Sequence, residues 1–293
     1  MATLRDIKRR IVGVKNTQKI TKAMKMVATA KLRRAQQKII SARPYAGKIS
    51  EMLLHLVSEE DIASNYLLKP RDVSNLCVVV VTADRGLCGA FNTNIIKEAV
   101  RHINEETQTG EVKAKLVTVG KKATDYFSRR NYEVIAKNVG LFSSLQINSA
   151  LQIYNEVLTR FNKEEFDKVV VIYNQFVSMV QQKITVEQVL PIPIKTNSKE
   201  VKSDSENYIF EPDQKSILNY LLPKQLKSQF WKFLLESNAA ELGARMTAMD
   251  NATTNAQELI RSLNITYNKE RQASITKEIL EIVSGANALK ASS

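Results

Sequence analysis

The chain has 293 residues, 44% hydrophobic and 25% charged, which is enough for one or two packed cores. It holds no run of eighteen apolar residues, which excludes a helix through a bilayer, and its start, MATLRDIKRR, lacks the apolar stretch of a secretory signal. Two cysteines, Cys77 and Cys88, suit a reducing compartment better than a disulfide framework, and the net charge of +13 points to an anionic partner.

The first element is predicted as one helix over residues 1–57. Thr3 with Asp6 resembles a capping box that starts it at Leu4. Alternating steps of three and four from Leu4 reach Ile7, Ile11, Val14, Gln18, Thr21, Lys25, Ala28, Leu32 and onward to Leu56, and thirteen of these sixteen positions are apolar. A seven-residue repeat held this long marks a helix that buries a narrow stripe against another helix. Pro44 lies inside it without disturbing the phase, so a kink is expected and not an end. At 1.5 Å per residue the helix is a rod of roughly 80 Å, longer than a compact domain of this size is wide.

Residues 1–50 carry 14 Lys and Arg against one acid, Asp6, so the whole positive excess sits on this rod. Only Lys25 of those cations falls on the stripe. A positive cylinder fits nucleic acid or an acidic protein surface; the plainer reading is a solvated helix face, which would normally mix signs. Gln18, Thr21 and Lys25 are consecutive polar positions of the stripe, while Ile20, Met24, Met26 and Val27 lie off it. That step marks either local repacking or contact with something other than the partner helix.

Residues 58–75 break the repeat and are expected to form a linker. The central region, residues 76–194, alternates strand and helix. Strands are predicted at Leu76–Thr82, Lys115–Val119, Tyr132–Ala136, Lys168–Phe176 and, antiparallel to the last of these, Met179–Leu190. Helices fall over Thr93–Glu106, Lys121–Arg130 and Ile147–Phe161. This is a small Rossmann-like α/β domain.

The loop ADRGLCGAFN after the first strand stands where nucleotide-binding domains cradle phosphate. Gly86 and Gly89 have no third glycine in the dinucleotide spacing, and no GK[ST] follows, so a tight turn is the better reading. Asp84 and Arg85 are expected to form a local ion pair. His55 and His102 are far apart in sequence, and no HExxH, paired CxxC or GxSxG is present. No cofactor, metal site or catalytic group is expected, and the chain is not read as an enzyme by itself.

Residues 195–212 form a polar connector, and residues 213–293 a second coiled-coil helix, with an apolar segment before Pro223. From Lys224 onward no proline occurs. A second stripe runs through Leu235, Ala239, Leu242, Met246, Met249, Thr253, Ala256, Ile260, Leu263 and Tyr267. Two rods separated by an α/β domain meet most simply as an antiparallel pair. After Tyr267 the repeat slips and resumes at Ile275, Ile279, Ile282, Ala286 and Leu289, a stutter that locally unwinds a coiled coil. The second helix outlasts the first, so its last twenty or so residues are expected as a lone apolar tip that requires a socket.

The stretches QKITKAMKMVATAKLRRAQ, VVTADRGLCGAFNTN, YIFEPD, ARMTAMDNATTNA and YNKERQASITKEILEIVSGANAL, in this order, closely resemble the gamma subunit of rotary F-type ATP synthases. The resemblance implies a central rotor shaft. It couples proton flow through the membrane sector to ATP synthesis or hydrolysis, with the terminal helices inside a hexamer of alpha and beta subunits. The α/β domain would stand on the membrane c-ring beside the epsilon subunit, with one copy per complex. By position, Met24, Lys25, Arg271, Gln272 and Thr276 match residues facing the catalytic subunits, and the tip with Ile275, Ile279 and Ile282 would turn in an apolar sleeve. Chloroplast members carry a cysteine-bearing insertion in the central domain; this chain has none, so redox control by a disulfide is not expected.

With no transit segment before MATLRDIK, a bacterial protein on the cytoplasmic side of the plasma membrane is the expectation, ahead of an organellar inner or thylakoid membrane. Two other readings stand beside this one. A basic coiled coil that binds nucleic acid, or acts as a scaffold, would account for the charge, though few aromatics lie among its cations. A nucleotide-binding α/β enzyme would account for the middle, though the phosphate loop is missing.

Overall fold

The computed structural model describes residues 3–108, 110–179, 181–193, 211 and 213–291. Of the connector motif YIFEPD only Glu211 and Asp213 are described, and the side chains beyond residue 287, Leu289 among them, lie outside the described residues. The described elements, in order, are α1 (Leu4–Leu56), α2 (Glu59–Ser64), β1 (Asn75–Val81), α3 (Phe91–Glu106), β2 (Lys113–Val119) and α4 (Lys121–Phe127). They continue with β3 (Glu133–Asn138), a 3-10 turn at Leu141–Ser143, α5 (Ile147–Asn162), β4 (Lys168–Phe176), β5 (Gln182–Leu190) and α6 (Gln214–Ala291). No described helix is long and apolar enough to cross a membrane. The chain divides into two compact units, one of residues 1–27 with 248–293 and one of residues 28–247.

In the larger unit the five strands lie in the order β3-β2-β1-β4-β5, the first four parallel and β5 antiparallel to β4. β1 is buried on both faces, which is why it is an unbroken apolar run. Leu76, Val78 and Val80 face α3 and α4, while Cys77, Val79 and Val81 face α5 and the two long helices. The period of two in β4 is read the same way, with Val170 and Ile172 on one side and Val169, Val171 and Tyr173 on the other.

The first sheet face is covered by Ile95, Ala99, Ile103 and Phe127. The second meets Ile153, Val157 and Phe161 of α5, together with Leu32, Ile39, Leu53, Leu222, Leu226, Phe230 and Phe233 of the long helices. Within this unit α1 and α6 run antiparallel. Leu56, Ser50 and Arg43 of α1 meet Gln214, Gln225 and Glu236 of α6 in turn. Pro44 and Pro223 lie inside the continuous helices α1 and α6.

Differences from the sequence reading are local. Strand β5 starts at Gln182, not Met179, because Ser178 and Gln181 close a turn, the Ser178 N–H donating to Gln181 O at 3.0 Å and the Gln181 N–H to Ser178 Oγ at 3.0 Å. Residues 58–75 contain α2, capped reciprocally by Ser58 and Asp61, and Leu67 and Leu68 there are buried. Gly120, between β2 and α4, has φ +91°, and a Cβ on it would lie 2.1 Å from the Thr82 carbonyl oxygen, so only glycine fits.

The smaller unit is built from Thr3, residues 4–27 of α1 and residues 248–291 of α6. The capping box forms as its spacing predicts, the Asp6 N–H donating to Thr3 Oγ1 at 3.3 Å and the Thr3 N–H to Asp6 Oδ2 at 3.2 Å. Ile7, Ile11 and Thr21 are buried and Leu4, Val14, Gln18 and Lys25 half-buried; every described stripe position here is thus removed from water to some degree. On α6, Met249 and Ala256 are buried and Thr253, Ile260, Leu263 and Tyr267 half-buried. The two helices are antiparallel here also, since Lys25 meets Asp250 and Thr21 meets Thr253.

Candidate partner surface on the terminal helices

The polar step in the stripe is answered from across the coil. Thr21 Oγ1 and Thr253 Oγ1 lie 2.8 Å apart, and Lys25 Nζ donates to Asp250 Oδ1 at 2.6 Å. A buried and a half-buried hydroxyl thereby meet each other, and the charged pair sits at the coil's edge, with the two side chains 39% and 52% exposed. Polar pairs of this kind fix which residues face each other along an otherwise uniform apolar seam. Around them Ile20, Met26 and Val27 are exposed and Met24 is half-buried, so an apolar band emerges amid the cations Lys19 and Lys22.

The second band lies farther along α6. Past Tyr267 the half-buried positions are Glu270 and Ser274, which continue the earlier register without a slip. The apolar set follows a different line: Ile275, Ile279 and Ile282 are 49%, 55% and 70% exposed, and Leu280 and Val283 are exposed as well. At 100° per residue these five side chains span an arc of about 160°. Lys277, Glu278 and Glu281 occupy the other side, where Lys277 Nζ lies 3.7 Å from Glu281 Oε1. The stretch therefore has the make-up of a docking helix, with an apolar face wider than a two-stranded seam requires.

Arg271 is exposed at the edge of this arc and Gln272 and Thr276 within its angular range, and the Thr276 hydroxyl is turned back onto the Gln272 carbonyl oxygen at 3.0 Å. Of the eight residues singled out from sequence, Met24 and Lys25 thus fall in one band, and Arg271, Gln272, Ile275, Thr276, Ile279 and Ile282 in another. The structure does not bring the two bands together: Asp250, opposite Lys25, precedes Arg271 on α6 by roughly 30 Å of helix.

The loop after β1, in the larger unit, is a turn built for backbone geometry. Leu87 has φ +64° and Gly89 φ +58°. Asp84 is not engaged in the expected local pair with Arg85. Its carboxylate accepts the N–H groups of Lys121 at 3.1 Å, Gly140 at 2.9 Å and Phe142 at 3.4 Å, tying together the ends of three neighbouring strands. A carboxylate satisfied by backbone donors stabilises more than one beside a solvated arginine, which explains the choice. Cys77 and Cys88 are both free and buried, and burial pushes both thiols up. Sequence inspection missed Glu236 and Glu241, acids inside the apolar run FWKFLLESNAAEL; acids so placed signal buried partners, and Arg43 and Arg245 are those partners.

A family model described as ATP synthase matches residues 3–289. The "ATP synthase gamma chain" of Chlorobaculum tepidum is 50% identical over 293 residues, covering 99% of this chain and all of that one. This chain belongs to the ATP synthase gamma-chain family. Among solved structures, the central stalk and c-ring of the Tetrahymena thermophila mitochondrial ATP synthase offers a chain 26% identical, with a TM-score of 0.60 over 80% of this chain and 99% of that one. A chain of the Euglena gracilis mitochondrial ATP synthase shares the fold at 22% identity, with a TM-score of 0.68 over 98% and 95%. The fold of paired terminal helices with a central α/β domain is thus that of gamma chains. Neither the nucleic-acid-binding or scaffold coil nor the nucleotide-binding enzyme finds support among these relatives.

Proposed function

We propose that this gamma-family chain is the central rotor shaft of an F-type ATP synthase, a non-catalytic subunit that couples ion flow through the membrane sector to ATP synthesis or hydrolysis in the catalytic ring. Its partners are the alpha and beta subunits around the terminal helices, and the membrane c-ring and epsilon subunit at the α/β domain, with one copy per complex. It is a peripheral protein at the cytoplasmic face of a bacterial plasma membrane. The observation that carries this reading is the exposed arc of Ile275, Ile279, Leu280, Ile282 and Val283 on the last helix of a gamma-family chain, an apolar surface that none of the described residues covers.

The physics of such a shaft follows from its contacts. A ligand site changes its equilibrium only through contacts that differ between its states, and one shaft facing three like sites presents a different side to each. Met24 and Lys25 form one contact band, and Arg271, Gln272 and Thr276 with the tip isoleucines the other. Turning also demands contacts that release easily. Exposed ion pairs contribute about 1 kcal/mol or less each, so the solvated cations of α1 guide the shaft without locking it at one angle. Isolation of the tagged chain from its native membrane tests the assignment. Alpha, beta, epsilon and c subunits should accompany it in a complex that rotates on ATP; a chain that returns alone, or with nucleic acid, overturns it.

A further inference from the structure

In the larger unit, two ion pairs join the long helices to backbone atoms of the α/β domain, one at the end of a strand and one in a loop. Arg43 of α1 donates to Glu236 Oε1 of α6 through Nε at 3.1 Å and a terminal nitrogen at 2.9 Å. The same pair then holds both backbone groups of one strand residue. The Phe176 N–H donates to Glu236 Oε2 at 3.0 Å, and Arg43 donates to the Phe176 carbonyl oxygen at 3.3 Å. The Glu236 side chain is only 1% exposed. Two turns on, Arg245 pairs with Glu241 and donates to the Gly86 carbonyl oxygen at 2.7 Å, with both side chains of the pair largely buried.

The targets of the two grips share a location. Phe176 ends β4, and Gly86 lies in the loop that leaves β1; these are adjacent strands at the middle of the sheet. The helix face between the grips is made of small residues. Ala240 and Ala244 pack with Phe176, Cys88 and Phe91, and a Cβ on Gly243 would come within 3.1 Å of the Met179 carbonyl oxygen in the turn after β4. The α6 backbone therefore runs close against the carboxyl ends of the two central strands.

Apolar packing of a helix on a sheet opposes separation through many weak contacts, none of which by itself carries a direction. Hydrogen bonds to fixed backbone atoms are directional and weaken steeply with angle. We infer that Arg43–Glu236 and Arg245–Glu241 are a two-point torsional lock, which stops the paired helices from turning against the α/β domain and so passes torque between them. The inference rests on the shaft reading proposed above. Stability alone gives little reason for such pairs: Arg245–Glu241 is a buried pair, often no more stabilising than apolar groups of the same size, and Arg43 meets the buried Glu236 carboxylate while itself 51% exposed, whereas a mechanical joint needs directional contacts.

The test uses the complete synthase in vesicles. Arg43→Met with Glu236→Leu, and Arg245→Met with Glu241→Leu, exchange each pair for apolar groups that can pack in its place. The expected result is ATP hydrolysis near the wild-type rate, with protons pumped per ATP lowered severalfold. The angular spread of a bead on the membrane ring of stalled complexes should at least double. Unchanged spread overturns the lock, whether or not pumping falls, because lost pumping without added twist marks a merely structural role. Where a double variant does not assemble, Glu236→Gln and Arg245→Lys are measured in the same way, and unchanged spread in them is equally decisive. A wild-type complex that assembles but does not rotate would refute the shaft reading instead, and rotating wild type with stiff variants refutes the lock alone.

Discussion

Replacing Ile279 and Ile282 together by alanine separates the tip's role as a docking surface from any role in folding. The two residues are 55% and 70% exposed in the chain by itself, so roughly half to two thirds of each remains to be covered by a partner. Full burial of an isoleucine side chain contributes about 1.5–3 kcal/mol, which leaves about 1–1.5 kcal/mol per residue for what truncation removes here. The double variant should then bind a catalytic hexamer about 2–3 kcal/mol more weakly, a loss of roughly 30- to 150-fold in affinity. Alanine is the better helix former, so the helix itself is kept or slightly favoured. The thermal midpoint of the purified chain should therefore stay within the small range of surface substitutions.

Titration of the purified chain into hexamer that lacks it, read by recovered ATPase, measures the affinity; Glu278→Ala on the opposite side serves as control. Equal losses for the control and the double variant would refute the apolar arc as the docking face. So would a marked fall in the midpoint of the double variant, since the isoleucines would then be holding the fold.

Three further outcomes follow from single sites. Gly120→Ala should destabilise the α/β domain by about 3 kcal/mol or more, because φ +91° and the 2.1 Å approach to Thr82 both oppose a Cβ; chemical denaturation measures it, and a shift below 1 kcal/mol counts against the geometry. Lys25→Met should lower stability by no more than about 1 kcal/mol, with the difference shrinking at high salt, since its pair with Asp250 is half in water. Burial holds the His102 imidazole below its ordinary 6.5, so the folded chain resists protonation that the unfolded chain accepts. Stability from this residue is full above pH 6.5 and is lost as pH falls through the lower folded value; His102→Gln should flatten that limb of a denaturation series, and an unchanged slope would reject the buried neutral imidazole.

The stripe of α1 was legible residue by residue because a seven-residue repeat is a local pattern: whichever helix covers Leu4, Ile7, Ile11 and Leu32, they must lie on one side. The continuous apolar runs of β1 and β4 likewise announced strands buried on both faces. The tip is the instructive case. Its apolar line through Ile275, Ile279 and Ile282 was visible, and so was its departure from the earlier register. Only the structure shows that Glu270 and Ser274 carry the coil's half-buried line onward while the isoleucines face water. Asp84 was misjudged for a related reason: its neighbour in sequence is Arg85, but its nearest donors in space are backbone groups of residues 121, 140 and 142.

Periodicity, charge placement and the order of elements, all properties of residues within a few turns of each other, determined by themselves that this chain has two coiled-coil ends, an α/β middle and a basic first helix. What the tertiary structure decided is which residue meets which: Thr21 with Thr253, Lys25 with Asp250, Arg43 with Glu236 and the backbone of Phe176. An apolar seam repeats every seven residues and is nearly indifferent to a shift by one repeat, so its register is set by a few polar pairs whose members lie some two hundred residues apart. The Thr21 and Lys25 pairings form only when the two helices pack on each other, and the Arg43 pairing only when the sheet joins them, and that is why no local pattern announced them.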